Sequence, residues 1–188
     1  MRLYHTGYLE IPEPDIHYGR KNADFGQGFY LTADQAFAEK WAQEKKGAQV
    51  YVNRYELDTD GLAVKEFERD CQWFDYIFSN RAGRRDALPQ YDVIMGPIAN
   101  DTLYNTFGII TSGLLPREEA GALLRIGPLY RQIVLKTEKA AARLRWLGAR
   151  ILTGEEIAAS RERVKREEKE YQRLFAQKME QMEKENEP

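Results

Sequence analysis

Cysteine and histidine are almost missing from this sequence: Cys71 is the single thiol, and His5 and His17 are the two imidazoles. One cysteine excludes an internal disulfide and any cysteine-based zinc cluster. Two histidines are too few for a His-rich centre, so no metal is expected. An excess of one charge is missing too. The 28 Lys and Arg face 30 Asp and Glu, leaving a net charge of -2. No global field therefore draws the chain to nucleic acid or an anionic membrane. No apolar run is long enough to span a bilayer, and the opening Met-Arg-Leu-Tyr-His-Thr-Gly lacks the apolar core of an export signal. The expectation is a cytoplasmic protein without membrane contact. Export by a machinery that needs no N-terminal signal stays open.

What is present suits one domain with an appendage. The chain has 188 residues, 43% of them hydrophobic, enough for a real core. Residues 2 to 5 read as a strand, and residues 7 to 28 as a loop punctuated by Pro12, Pro14, Gly19, Gly26 and Gly28. Phe29 to Thr32 reads as a strand. Thr32-Ala-Asp-Gln35 has capping-box spacing and predicts a helix carrying Phe37 and Trp41, ended by Gly47. Val50 to Leu57 alternates as a strand does, and Ala63 to Phe67 suggests another. Asp70 to Asn80 carries Trp73, Phe74 and Ile77 at helical spacing. Tyr91 to Met95 reads as a buried strand stopped by Gly96-Pro97. Helices are expected over Asn100 to Gly113, Arg117 to Leu124 and Lys139 to Leu147, with Tyr130 to Lys136 as the last strand. Short strands among helices of mixed length, without strict alternation, favour α+β over a doubly wound sheet.

Composition divides the chain at about residue 150, giving a domain over 1–150 and a charged helical tail over 151–188. From Gly154 onward ten Glu and eight Lys or Arg surround a thin apolar stripe of Ile157, Val164, Tyr171, Phe175 and Met182. Thr153-Gly-Glu-Glu156 can cap its start. The plain reading is a solvated helix that frays at its end; a docking helix for a partner is the sharper one.

The segment most able to carry chemistry is Asp24-Phe-Gly-Gln-Gly-Phe-Tyr-Leu-Thr32. A glycine-bent turn that feeds a strand brings backbone amides and an aromatic face against a flat ligand. Leu3-Tyr-His5, Phe25-Gly-Gln-Gly-Phe-Tyr-Leu31, Trp41 and Gln132-Ile-Val-Leu135 follow one another in a recognisable order. Over about residues 2 to 147 the chain resembles ADP-ribosyltransferases of the diphtheria-toxin and poly-ADP-ribose-polymerase type. Gly19-Arg20 and the Gly-Pro-x-Ala-Asn-Asp run from Gly96 to Asp101 resemble a bacterial branch of that superfamily whose function is not described.

The resemblance implies a split mixed β-sheet core of the ADP-ribosyltransferase type with flanking helices, followed by the charged C-terminal helix. It implies NAD as co-substrate in the cleft, and cleavage of the nicotinamide–ribose bond through an oxocarbenium-like transition state. On this reading His5 grips a ribose hydroxyl, and Tyr30 and Trp41 hold the nicotinamide ring. The backbone of Thr6 pairs with the carboxamide, although the family usually has Gly there. Phe25, Gly26, Gly28 and Asn100 line the ligand, and Arg20 meets the pyrophosphate.

Two positions depart from the pattern. Ala38 stands where polymerase-type enzymes place a carboxamide-binding serine, and Gln132 stands at the family glutamate. A glutamine can grip a hydroxyl but brings no negative charge and is no base. That disfavours chain growth and leaves mono-transfer or NAD hydrolysis. Asp101, Glu138 and Asp24 are candidates for the missing charge, Asp101 foremost; a helix N-cap explains Asp101 equally well. The basic run from Arg81 to Arg85 reads as a solvated loop.

The implied function is mono-ADP-ribosyl transfer to a macromolecule, protein or nucleic acid, by a bacterial protein that family context would make a toxin paired with a neutralising antitoxin. The rivals are an inactive NAD or ADP-ribose binding module, motivated by Gln132 and Ala38, and an interaction protein acting through its C-terminal helix.

Overall fold

A bridge of two hydrogen bonds joins the two β-sheets: Tyr4 N–H donates to the Thr32 carbonyl at 2.8 Å, and Thr32 N–H to the Tyr4 carbonyl at 3.0 Å. The structure, a computed structural model, describes residues 1–99 and 115–186. The described elements are β1 (Arg2–Gly7), β2 (Phe29–Leu31), α1 (Gln35–Lys40), β3 (Tyr51–Leu57), β4 (Val64–Glu66), α2 (Cys71–Arg81), β5 (Val93–Pro97), α3 (Arg117–Leu124), β6 (Arg131–Leu135), α4 (Glu138–Ala141), β7 (Leu144–Ile151) and α5 (Gly154–Asn186). One sheet is antiparallel with order β1-β3-β7. The other is mixed, with order β2-β6-β5-β4 and a parallel β4–β5 pair. The class is α+β. Among the described residues no helix is long and apolar enough to cross a membrane.

The mixed sheet is buried on both faces. Ile94 and Val134 join Phe25, Trp73, Ile77 and Leu123 in one cluster. Their strand neighbours Val93, Ile133 and Leu135 join Leu3, Leu31, Tyr55 and Leu57 in another. Period-two alternation explains the split, and burial on both sides explains the continuous apolar runs in β5 and β6.

Four local expectations are corrected. Thr32 does not cap α1. Asp34 does, accepting from Phe37 N–H at 3.1 Å, while Thr32 Oγ1 donates to the Arg131 carbonyl at 3.0 Å. Gly47 does not end that helix, because Trp41 is its C-cap. β5 does not stop at Met95 but runs through Gly96 to end at Pro97. The Ile98 N–H turns toward β6 and bonds the Tyr130 carbonyl, whereas Phe67 N–H bonds the Met95 carbonyl on the opposite side. By alternation the nitrogen of Pro97 faces the β4 side, beyond the end of β4, where a donor has no partner to lose.

The fourth correction is the largest. Lys139 to Leu147 is not one helix. A single short turn, Glu138–Ala141, is capped by Thr137, and the chain then extends as β7 along the whole of β3. Its Ala, Leu and Arg favour helix locally, but a strand partner with an open edge outweighs that preference. The last strand is therefore β7, not β6. The expected helix over Asn100 to Gly113 lies outside the described residues.

The tail is one helix from Gly154 to Asn186, opened by a complete capping box: Thr153 N–H donates to Glu156 Oε2 at 2.8 Å and Glu156 N–H to Thr153 Oγ1 at 3.2 Å. Its apolar stripe lies on the domain. Ile157 packs with Val50, Val52 and Leu152, and Met182 with the Trp73 cluster; Tyr171 is fully buried. The helix also grips α1: Ser160 Oγ donates to the Glu39 carbonyl at 3.0 Å, and the buried Lys40 ammonium pairs with Glu167 at 2.5 Å.

Candidate functional site

Beyond the Tyr4–Thr32 bridge β1 and β2 part, and the gap between them opens into a cleft of about 740 Å³. Backbone groups alternate sides along a strand. Tyr4 turns its N–H and C=O toward β2, so those of Thr6, two residues on, turn to the same edge where β2 no longer follows. Thr6 Oγ1 donates to the Ala38 carbonyl at 2.6 Å and ties the edge to α1.

His5 reaches across the parting strands, with Nδ1 2.8 Å from the Tyr30 carbonyl and its ring 4.7 Å from that of Phe29. A carbonyl only accepts, so Nδ1 carries the proton and Nε2 keeps a lone pair. Burial holds the imidazole below its ordinary value, against the pull of the Tyr30 carbonyl. His5 is therefore a neutral acceptor at pH 7.

Tyr30 lies at the cleft and packs against the Phe25 cluster, and its hydroxyl is engaged in the turn before β2. It donates to the Gly26 carbonyl at 2.6 Å and accepts from Phe25 N–H at 3.0 Å. Burial, and then the charge of Asp24, push its ionisation well above the ordinary tyrosine value. Its hydroxyl fastens the turn and is not free to exchange a proton with a ligand.

Phe37 of α1 and its C-cap Trp41 line the cleft as well. Phe37 stacks on Tyr130 at 4.4 Å and 10°, and meets Trp41 edge-on at 6.0 Å. Trp41 is 44% exposed, the only part of this aromatic stack offered broadly to solvent. Arg20, also exposed, lies at the cleft with no ion-pair partner among the described residues.

The cleft also contains a buried polar group. Asp24 Oδ1 accepts from Arg81 Nη2 at 2.7 Å and Nε at 2.9 Å, and both side chains are almost fully buried. Asp24 Oδ2 accepts from Ala99 N–H at 3.1 Å and faces Gln132 Nε2 at 3.5 Å. Gln132 is itself buried near the start of β6.

His5, Thr6, Arg20, Tyr30, Trp41 and Gln132 therefore line one cleft, although 127 positions separate the first from the last. Three other candidates lie beneath it. Phe25 is fully buried against Phe67 and Tyr76. Gly26 sits at φ +72° and supplies the carbonyl that receives Tyr30. Gly28 packs so closely on β6 that a Cβ would stand 2.5 Å from the Leu135 carbonyl oxygen. They build the turn; they do not face the cleft. Asn100 and Asp101 lie outside the described residues. Glu138 is an exposed partner of His17 on α4, away from the cleft.

Sequence reasoning missed Arg81. Its place in a basic run suggested a solvated loop, yet it ends α2 with its side chain buried against Asp24. The signal was its position one helical turn after Ile77, on the face that α2 buries. Among the described residues no cluster of metal-ligating side chains occurs.

The model of a family described as protein of unknown function (DUF3990) matches residues 1–146, and the chain belongs to that family. No curated protein and no solved structure matches it.

Proposed function

We propose that this member of the family binds NAD in the cleft and is a mono-ADP-ribosyltransferase, releasing nicotinamide and passing ADP-ribose to a macromolecule or to water. The observation that supports this is the convergence of His5, Thr6, Arg20, Tyr30, Trp41 and Gln132 on a single cleft of about 740 Å³. A cleft of this size suits a cofactor-sized ligand.

The donor set fits a dinucleotide. Neutral His5 offers an acceptor lone pair to a ribose hydroxyl. The Thr6 edge offers a backbone N–H and C=O, which a carboxamide matches as another strand would. Trp41 offers an exposed ring face to a flat cation. Arg20, exposed and without a described partner, suits a pyrophosphate through its planar fork. Cleavage of the nicotinamide–ribose bond leaves positive charge growing on the ribose, and the carboxylate described in the cleft wall, Asp24, is already paired with Arg81.

Gln132 supports a second reading, a module that binds NAD or ADP-ribose without turnover, because an amide brings no charge to the ribose. An interaction role for α5 is less supported, since its apolar stripe is buried against its own domain. Calorimetric titration of the full chain with NAD, followed by incubation with NAD and cell lysate, separates these. Binding with nicotinamide release and a labelled product supports the transferase. Binding without release moves the case to the module. No binding at millimolar NAD refutes both.

A further inference from the structure

Asp24 and Gln132 are 108 positions apart, yet the structure brings their polar ends together at 3.5 Å. A carboxylate has acceptor oxygens only, and an amide has one donor end and one acceptor end. The amide nitrogen of Gln132 must therefore face Asp24, and its Oε1 is the end left for the cleft. Nothing else in the side chain fixes this choice, because the two amide ends are alike in shape.

Asp24 is itself fixed. Arg81 takes Oδ1 with two donors, and Ala99 N–H meets Oδ2 at 3.1 Å. A side-chain amide of Asn80 also holds the Asp24 backbone carbonyl, at 3.1 Å. The carboxylate can neither turn away nor change places with another acceptor. We infer that Asp24, anchored by Arg81, is a positioning residue for Gln132: it fixes the amide so that Oε1 faces the cleft as an acceptor for a ligand hydroxyl. Contacts of this kind are often long in a ligand-free site and shorten when the ligand binds.

The same geometry accounts for an amide at position 132. A glutamate there would set a second carboxylate beside Asp24, and two carboxylates at that distance do not both ionise near neutrality. The kinetic consequence of this assignment rests on the NAD reading above. The amide orientation does not.

The test therefore has two arms on the full chain. In the first, the side-chain NH₂ resonances of Gln132 are followed by ¹H–¹⁵N NMR in the wild type and in Asp24→Asn/Arg81→Gln. The double variant removes both charges together, so no buried ion is orphaned. The resonances are expected to shift in the variant. In Gln132→Glu, ¹³C carboxyl titration is expected to show one proton retained to above about pH 6. Unmoved amide resonances, or a Gln132→Glu carboxyl that titrates as an ordinary glutamate, overturns the inference whether or not NAD is a substrate.

In the second arm, the double variant is expected to lose roughly 100-fold in kcat for nicotinamide release. KM for NAD is expected to change by less than about threefold, and Gln132→Ala in the double-variant background to add little. Full kcat in a folded double variant overturns the inference. A wild type that shows the amide coupling but does not bind NAD leaves the positioning intact and refutes the NAD reading.

Discussion

Replacing Tyr171 on α5 by alanine should destabilise the whole protein. The residue lies seventeen positions into a helix in which charged residues predominate, and it looks like part of a solvated appendage. In the structure it is 1% exposed, with Phe175 beside it at 6.0 Å and Met182 further on in the Trp73 cluster. Truncating a large buried aromatic costs about 3–5 kcal/mol from lost transfer energy and the cavity left behind. For a chain of this length each kcal/mol lowers the unfolding midpoint by about 2–4 °C, so a fall of roughly 6–20 °C is expected. Met182→Ala should cost about 2–5 kcal/mol. Urea unfolding of each variant, followed by far-ultraviolet circular dichroism, gives the difference directly. If α5 is integral, wild type and variants unfold in one transition and the midpoint alone moves. A change under about 0.5 kcal/mol in both variants, the size expected of exposed positions, refutes the docking of α5. A separate early transition assigned to helix does the same.

Two further outcomes are specific. Because burial lowers the His5 proton affinity from the ordinary 6.5, the unfolded chain binds that proton more readily than the folded one. Its contribution to stability is whole above pH 6.5 and is lost as pH falls toward the folded value. His5→Gln should therefore flatten the pH dependence of the unfolding midpoint below about pH 6.5, and an unchanged slope contradicts a neutral imidazole at this position. Gly28→Ala sets a methyl 2.5 Å from the Leu135 carbonyl oxygen and 2.6 Å from Val134 Cγ1. Opening the β2–β6 ladder to admit it should cost about 2–3 kcal/mol, read as a lower thermal midpoint; an unaltered midpoint rules out this close approach.

Much of the fold was legible because local rules and tertiary packing agreed. The helix expected over Asp70 to Asn80 is α2, with Asp70 found as its N-cap, and the alternation in Val50 to Leu57 is that of β3. The rules failed where they disagreed. Leu144 to Leu147 has no local reason to extend, and only the open edge of β3 makes it a strand. Arg81 shares its charge with Arg84 and Arg85, so charge alone could not single it out. Its burial depends on Asp24, 57 positions earlier. Nothing local to Tyr30 tells that its hydroxyl is held by the Phe25 N–H and the Gly26 carbonyl of the turn before β2.

The sequence by itself determined the alternation of short strands and capped helices and the glycine-bent turn before Tyr30. Those properties follow from spacing, backbone freedom and residue chemistry, which act over a few positions along the chain. Only the tertiary structure decided that α5 lies on the core, that Asp24 meets both Arg81 and Gln132, and which end of the Gln132 amide turns to the cleft. Each of these depends on groups brought together from distant positions, where burial removes water and leaves a carboxylate only the partners that the fold supplies.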